Sequence, residues 1–166
     1  MSARAMILKD ARDVDWCLFE KLLYSHFGVN AVTFEKNGDR RTSGALPWAN
    51  QLCALIKQNP QGAAKICDRL LNQLIQSVRN SQASAMEACA AGMNKIVFPI
   101  IQNCELCGFV NICGRPFGNT DCIYTNYIQE TIGVDAQTIA GLMPSLNPIG
   151  PRTIKEIRHF VSHYAS

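Results

Sequence analysis

Eight of the 166 residues are cysteine, and thiolate sulfur is the donor that zinc and iron–sulfur clusters select. One close pair stands out, Cys104-Glu105-Leu106-Cys107-Gly108, with Cys113 and Cys122 downstream. Two cysteines separated by two residues and followed by glycine resemble half of a zinc knuckle. A zinc ribbon normally repeats such a pair, and 113 and 122 are too far apart for that. A redox pair of this spacing would open a helix in a βαβ unit, and no such unit surrounds it. The same stretch reads without any metal as a turn between strands. His159 and His163 stand four apart on an expected helix, but no glutamate lies between them in the metalloprotease pattern. No phosphate-cradling glycine loop, nucleophile elbow or spaced acid pair is present, so the chain reads as a non-enzyme.

The totals narrow the setting. Hydrophobic residues are 48% of the chain and charged residues 17%, enough to bury a core in one domain spanning 1–166. Lys and Arg number 16 against 13 acids, a net +3 without a dense basic stripe, which argues against direct nucleic-acid binding. No apolar run reaches the ~18–20 residues that cross a bilayer. Met1-Ser2-Ala3-Arg4-Ala5-Met6 runs into Lys9-Asp10-Ala11-Arg12-Asp13 rather than an apolar signal core. The expectation is a cytoplasmic protein whose thiols stay reduced.

The elements follow from periodicity. Residues 13–27 read as an amphipathic helix with Val14, Cys17, Leu18, Leu22 and Phe27 inward, Glu20 and Lys21 outward, and Gly28 as its stop. Residues 29–35 read as a strand, Asn37-Gly38 as a tight turn, and 40–45 as a returning strand at a sheet edge. Helices are expected at 49–58 and 61–77, with a loop over 79–84. The centre of the chain is the run 95–101, apolar and β-branched, then a polar turn at Gln102-Asn103-Cys104-Glu105, then a second strand over 106–112. Gly92, Gly108 and Gly114 punctuate this hairpin. Helices are expected at 121–132, at 135–143 capped by Asp135, and from Pro151 to about 164. Strands and helices fall in groups rather than alternating, so the expected class is α+β around an antiparallel sheet.

Several of these residues together resemble a known family. The Asn37-Gly38-Asp39 turn, Trp48 with Cys53 on a short helix, and Cys67 lead to Cys89-Ala90-Ala91-Gly92-Met93, Phe98-Pro99-Ile100, Gly108 and Gly114-Arg115. This pattern is similar to the PocR-type sensory domain over about residues 12–162. The resemblance implies a PAS-like fold, an antiparallel sheet with helices over one face and a helical C-terminal third, holding a small ligand. It also implies an output partner, since such domains are typically fused to helix-turn-helix, kinase or cyclase modules. None follows residue 166, so the expectation is a free-standing sensor or a piece of a longer chain.

Within that frame, Cys53, Cys67 and Cys89 face one pocket, with Cys113 as the leading fourth. They suit an iron–sulfur cluster or zinc, and equally suit buried thiols lining a cavity for a small organic ligand. Trp48, Met93, Phe98 and Ile100 are the apolar candidates for ligand contact, Phe109 beside them. Asn94, Asn111 and Arg115 are the polar groups that would orient a ligand, Arg115 as a carboxylate clamp. Two functions stay open: a metabolite- or cofactor-sensing domain for signal transduction or transcriptional control, and a cluster-binding redox or gas-sensing protein. Helices 13–27 and 151–164 are expected to pair with a second copy.

Overall fold

The computed structural model describes residues 14–44, 46–118 and 123–165. At its centre is a four-stranded antiparallel sheet in the order β1-β4-β3-β2, with β1 Asn30–Glu35, β2 Ala85–Ala88, β3 Met93–Gln102 and β4 Glu105–Pro116. The central pair is the hairpin read from the sequence. Gln102 pairs with Glu105 across a two-residue turn in which Asn103 has φ 49° and Cys104 φ 63°. Positive φ at both turn residues matches the twist of the flanking strands. Pro99, which lacks an N–H, sits beyond the end of β2, which pairs only with Asn94–Val97. There β3 has a neighbour on one side only, and a proline is tolerated.

Around the sheet run α1 (Trp16–Phe27), α2 (Gln51–Gln58), α3 (Pro60–Gly62), α4 (Arg69–Ser81), α5 (Thr125–Ile132), α6 (Ala136–Leu142) and α7 (Pro151–Ala165). A π-helical segment, Ala63–Asp68, joins α3 to α4, so one continuous helical stretch replaces the expected helix 61–77 and part of the loop after it. Asn59 starts it by accepting from Gln61 N and Gly62 N at 2.9 and 3.1 Å. Asp135 caps α6 as expected, accepting from Thr138 N at 2.7 Å. The expected helix starts at Asp13 and Asp121, the strand end at Ala45, and Cys122 lie outside the described residues.

Strand alternation splits the core in two. Ala31, Ile96, Phe98, Ile100, Val110 and Ile112 face α1 and α7. Met93, Val97 and Phe109 face α2, the π segment and α4 through α6. The architecture is the expected α+β antiparallel one, with helices covering both faces rather than one. Next to each other on their face, α1 and α7 pair within the chain: the Phe19 ring stacks on Phe160 at 5.7 Å.

Three expectations are corrected. Residues 40–44 form no strand: Arg40 makes a single bridge to Phe34, and beyond it the chain is turned to serve α1. Thr42 Oγ1 donates to both Glu20 carboxylate oxygens at 2.8 and 2.9 Å, and Thr33 donates to Oε1 through its N–H and hydroxyl at 2.7 and 2.8 Å. Those bonds correct the second expectation too, because α1 buries Trp16, Phe19, Glu20 and Leu23 while Cys17 is exposed. A fully hydrogen-bonded carboxylate can sit inside, and Glu20 rotates the buried stripe away from the purely apolar one. Third, the chain over 85–88, expected with Cys89 only to lead into the central hairpin, is an edge strand paired with β3.

Candidate functional site

The sheet face toward α2 carries Val32 and Phe34 on β1, Asn111 and Cys113 on β4, and Lys95 on β3. Val32 pairs with Asn111, and Val97 pairs with Asn111 from the other side. Between this face and α2, the π segment and the start of α4 lies a cavity of about 340 Å³. Ile56 and Cys53 come from α2, Ile66, Cys67 and Asp68 from the π segment, and Leu71 from α4. Cys89 and Ala91 come from the turn after β2, and Leu46 and Trp48 from the segment before α2. A π turn widens the helix by one residue and recurs at functional sites. Here it supplies three consecutive lining residues.

Asn50 holds the α2 wall in place. Its Oδ1 accepts from Cys53 N at 2.7 Å as the α2 N-cap, and its Nδ2 donates to Gly114 O at 2.7 Å. Gly114 has φ +107°, and a Cβ there would stand 2.7 Å from the Ala49 Cβ. Only glycine lets α2 approach β4 this closely. Asn30 pins the preceding segment, accepting from Ala49 N at 2.8 Å and donating to Pro47 O at 2.9 Å.

All four cysteines expected at the pocket, Cys53, Cys67, Cys89 and Cys113, line this cavity. Burial pushes the Cys89 thiol up to about 12, and burial likewise raises Cys53, with Cys113 the next cause for both. Burial also raises Cys67, against the pull of Lys57 and Lys95. These thiols are therefore protonated at neutral pH. Among the described residues no group of three or more His, Cys, Asp or Glu is arranged to hold a metal ion. Of the knuckle candidates, Cys122 lies outside the described residues and Cys113 is distant from the close pair. Cys104 and Cys107 sit at one end of β4, and Cys113 lies six positions along it, roughly 20 Å at ~3.3 Å per residue.

The ligand-contact candidates divide. Trp48 and Asn111 line the cavity, Trp48 at its rim, 45% exposed, with Lys57 Nζ 5.9 Å from its ring centroid. Met93 is on the right face but beneath Asn50, whose Nδ2 lies 3.5 Å from its sulfur. Phe98 and Ile100 point into the opposite core with α1 and α7, because strand alternation sends even-numbered β3 residues there. Asn94 is buried opposite Arg115 and away from the cavity lining. Arg115 clamps backbone rather than facing the cavity: its guanidinium donates to Phe27 O at 2.6 Å, Asn147 O at 2.7 Å and Pro148 O at 3.1 Å.

The residue that the sequence reading passed over is Lys95. It is 3% exposed, lies between Met93 and Val97 on the cavity face, and lines the cavity. Its signal was in view: a lysine inside the apolar run 93–101, at the inward phase of the alternation. Burial works against the Lys95 ammonium, and thiolate charge on Cys113, Cys67, Cys89 and Cys53 would outweigh it, holding the amine above its ordinary value. Cys53, Cys67 and Cys89, held protonated by burial, give none of that support at neutral pH. Nearby, the buried Asn111 Oδ1 accepts no hydrogen bond among the described residues.

The family model described as "Sensory domain found in PocR" matches residues 19–166, nearly the whole chain. No curated protein and no solved structure matches it. Among the described residues no helix is long and apolar enough to cross a membrane.

Proposed function

Because the chain belongs to the PocR sensory-domain family, we propose that it senses a small molecule in the cavity between the sheet and α2, acting as a signalling rather than a catalytic unit. The cavity itself carries this reading: about 340 Å³ is in the range of small-ligand sites. Its walls are mostly apolar, with a few polar groups to fix orientation. Occupancy has a physical route outward. β3 and β4 carry cavity residues on one face and the α1–α7 core on the other, so a shift at Lys95 or Asn111 moves Ile96, Val110 and Ile112 with it. An output module or partner protein would read α1 and α7.

The convergence of four thiols from four separate elements favours one second reading, an iron–sulfur cluster held by Cys53, Cys67, Cys89 and Cys113. These four residues would hold the cluster, which would supply redox or gas-responsive chemistry, and their thiols would ionise on binding it.

One preparation tests both. The protein is purified without oxygen, its absorption and iron content are recorded, and it is then denatured for mass spectrometry of released small molecules. A colourless protein releasing a stoichiometric organic compound is the expected result. Broad visible absorption with stoichiometric iron, and no organic compound, overturns the first reading in favour of the second.

A further inference from the structure

Resting on the cavity as the sensing site, the charges inside it narrow the ligand. Lys95 is the buried cation of the lining. Lys57, also in the lining, is matched by Asp68 at 3.7 Å, and Arg40 is exposed to solvent. Glu20 is taken up by Thr33 and Thr42. No carboxylate pairs with Lys95 among the described residues, and burial keeps the neighbouring Cys53, Cys67 and Cys89 thiols protonated at pH 7. An ammonium buried beside apolar walls without a countercharge is costly. One register step away on the same face, roughly 7–8 Å between backbones, Asn111 Oδ1 is a buried acceptor with no donor. A single molecule within the cavity's volume can satisfy both.

We propose that the ligand is a small organic monocarboxylate that also carries a hydrogen-bond donor, a hydroxyl or an amide N–H. Its carboxylate pairs with Lys95 Nζ, its donor meets Asn111 Oδ1, and its apolar body lies against Ile56, Ile66 and Leu71. One unpaired cation fits one negative charge, so a dianion such as a phosphate monoester would bring in an unmatched charge of its own. A neutral diol or amide would leave the ammonium unpaired.

The test uses the whole chain and a paired panel: lactate, mandelate, N-acetylglycine and hydroxybutanoate, each beside its primary amide, with propionate as the donor-free partner of lactate. Melting temperature and calorimetric titration are read for the wild type, Lys95→Met and Asn111→Val. At least one acid is expected to bind and stabilise the wild type while its amide does not. Lys95→Met should weaken that acid roughly 10- to 150-fold, as expected for loss of a charged hydrogen bond. The same variant should melt higher than the wild type without ligand, which shows that it folds. Asn111→Val should erase any preference for lactate over propionate. Amides binding as well as their acids, or Lys95→Met leaving affinity unchanged, overturns the acid and leaves the sensing cavity standing. No acid binding also overturns it. If the purified protein then proves to hold iron in the cavity, the small-molecule reading falls as well.

Discussion

Lys95 and the cysteines around it pose opposite problems in one place. The lysine needs a negative partner to stay charged, and the thiols resist becoming one. Cys89 and Cys53 are raised mainly by burial, so alkylation by iodoacetamide near pH 8 should label exposed Cys17 and Cys104 well before Cys53, Cys67 and Cys89, by peptide mapping. The sign for stability follows from linkage. A thiol whose folded value lies above the unfolded 9.0 keeps its proton in the native state while the unfolded chain loses it. Stability is therefore full below pH 9 and falls as pH rises toward about 12. Cys89→Ala should flatten that alkaline slope in pH-resolved urea denaturation. An unchanged slope would mean that the thiol is solvated. At Arg115 the geometry makes a different demand. Arg115→Lys keeps one charge but cannot span three carbonyls. It should cost about 1–3 kcal/mol of stability and leave ligand affinity intact, whereas a carboxylate clamp would lose affinity.

At the scale of elements, the wall formed by α2 depends on two residues. Asn50 caps the helix and ties it to Gly114, so Asn50→Ala should cost about 1–3 kcal/mol by urea denaturation, combining a lost N-cap with a buried carbonyl left unpaired. Gly114→Ala should cost a similar amount, about 1–3 kcal/mol, through its positive φ and the Ala49 contact. Both should also weaken ligand binding, because both let α2 swing from β4. If either destabilises the fold with full ligand affinity, α2 is not part of the site. Helix periodicity alone misjudged α1 for a related reason. The buried stripe runs through Glu20 because Thr33 and Thr42 meet it, partners that are distant in sequence and unreadable from the helix itself.

The whole molecule is two cores sharing one sheet. Phe19 is fully buried in the α1–α7 core, and Phe19→Ala should cost about 3–5 kcal/mol without touching the cavity lining. If the sheet transmits occupancy, the same change should also weaken the ligand's effect on α7 in hydrogen exchange. Exchange itself should be slowest along β3 and β4, which are buried on both faces. It should be fastest in β2, whose residues 86–88 are exposed, and in the segment before α2.

The α+β class, the central hairpin with its Asn103-Cys104 turn, and the helix starts at Asp135 and Pro151 were legible from residue types and spacing together with the family resemblance. Local chemistry determines these: turns, caps and apolar runs act within a few residues of one another. Only the tertiary structure decided which face each strand residue serves. Strand alternation sent Phe98 and Ile100 to the α1–α7 core, and long-range bonds drew Arg115 onto backbone carbonyls and Glu20 into the interior. The same alternation turned Lys95 inward, because a side chain's surroundings depend on which elements pack above it, and that packing joins residues far apart in the chain.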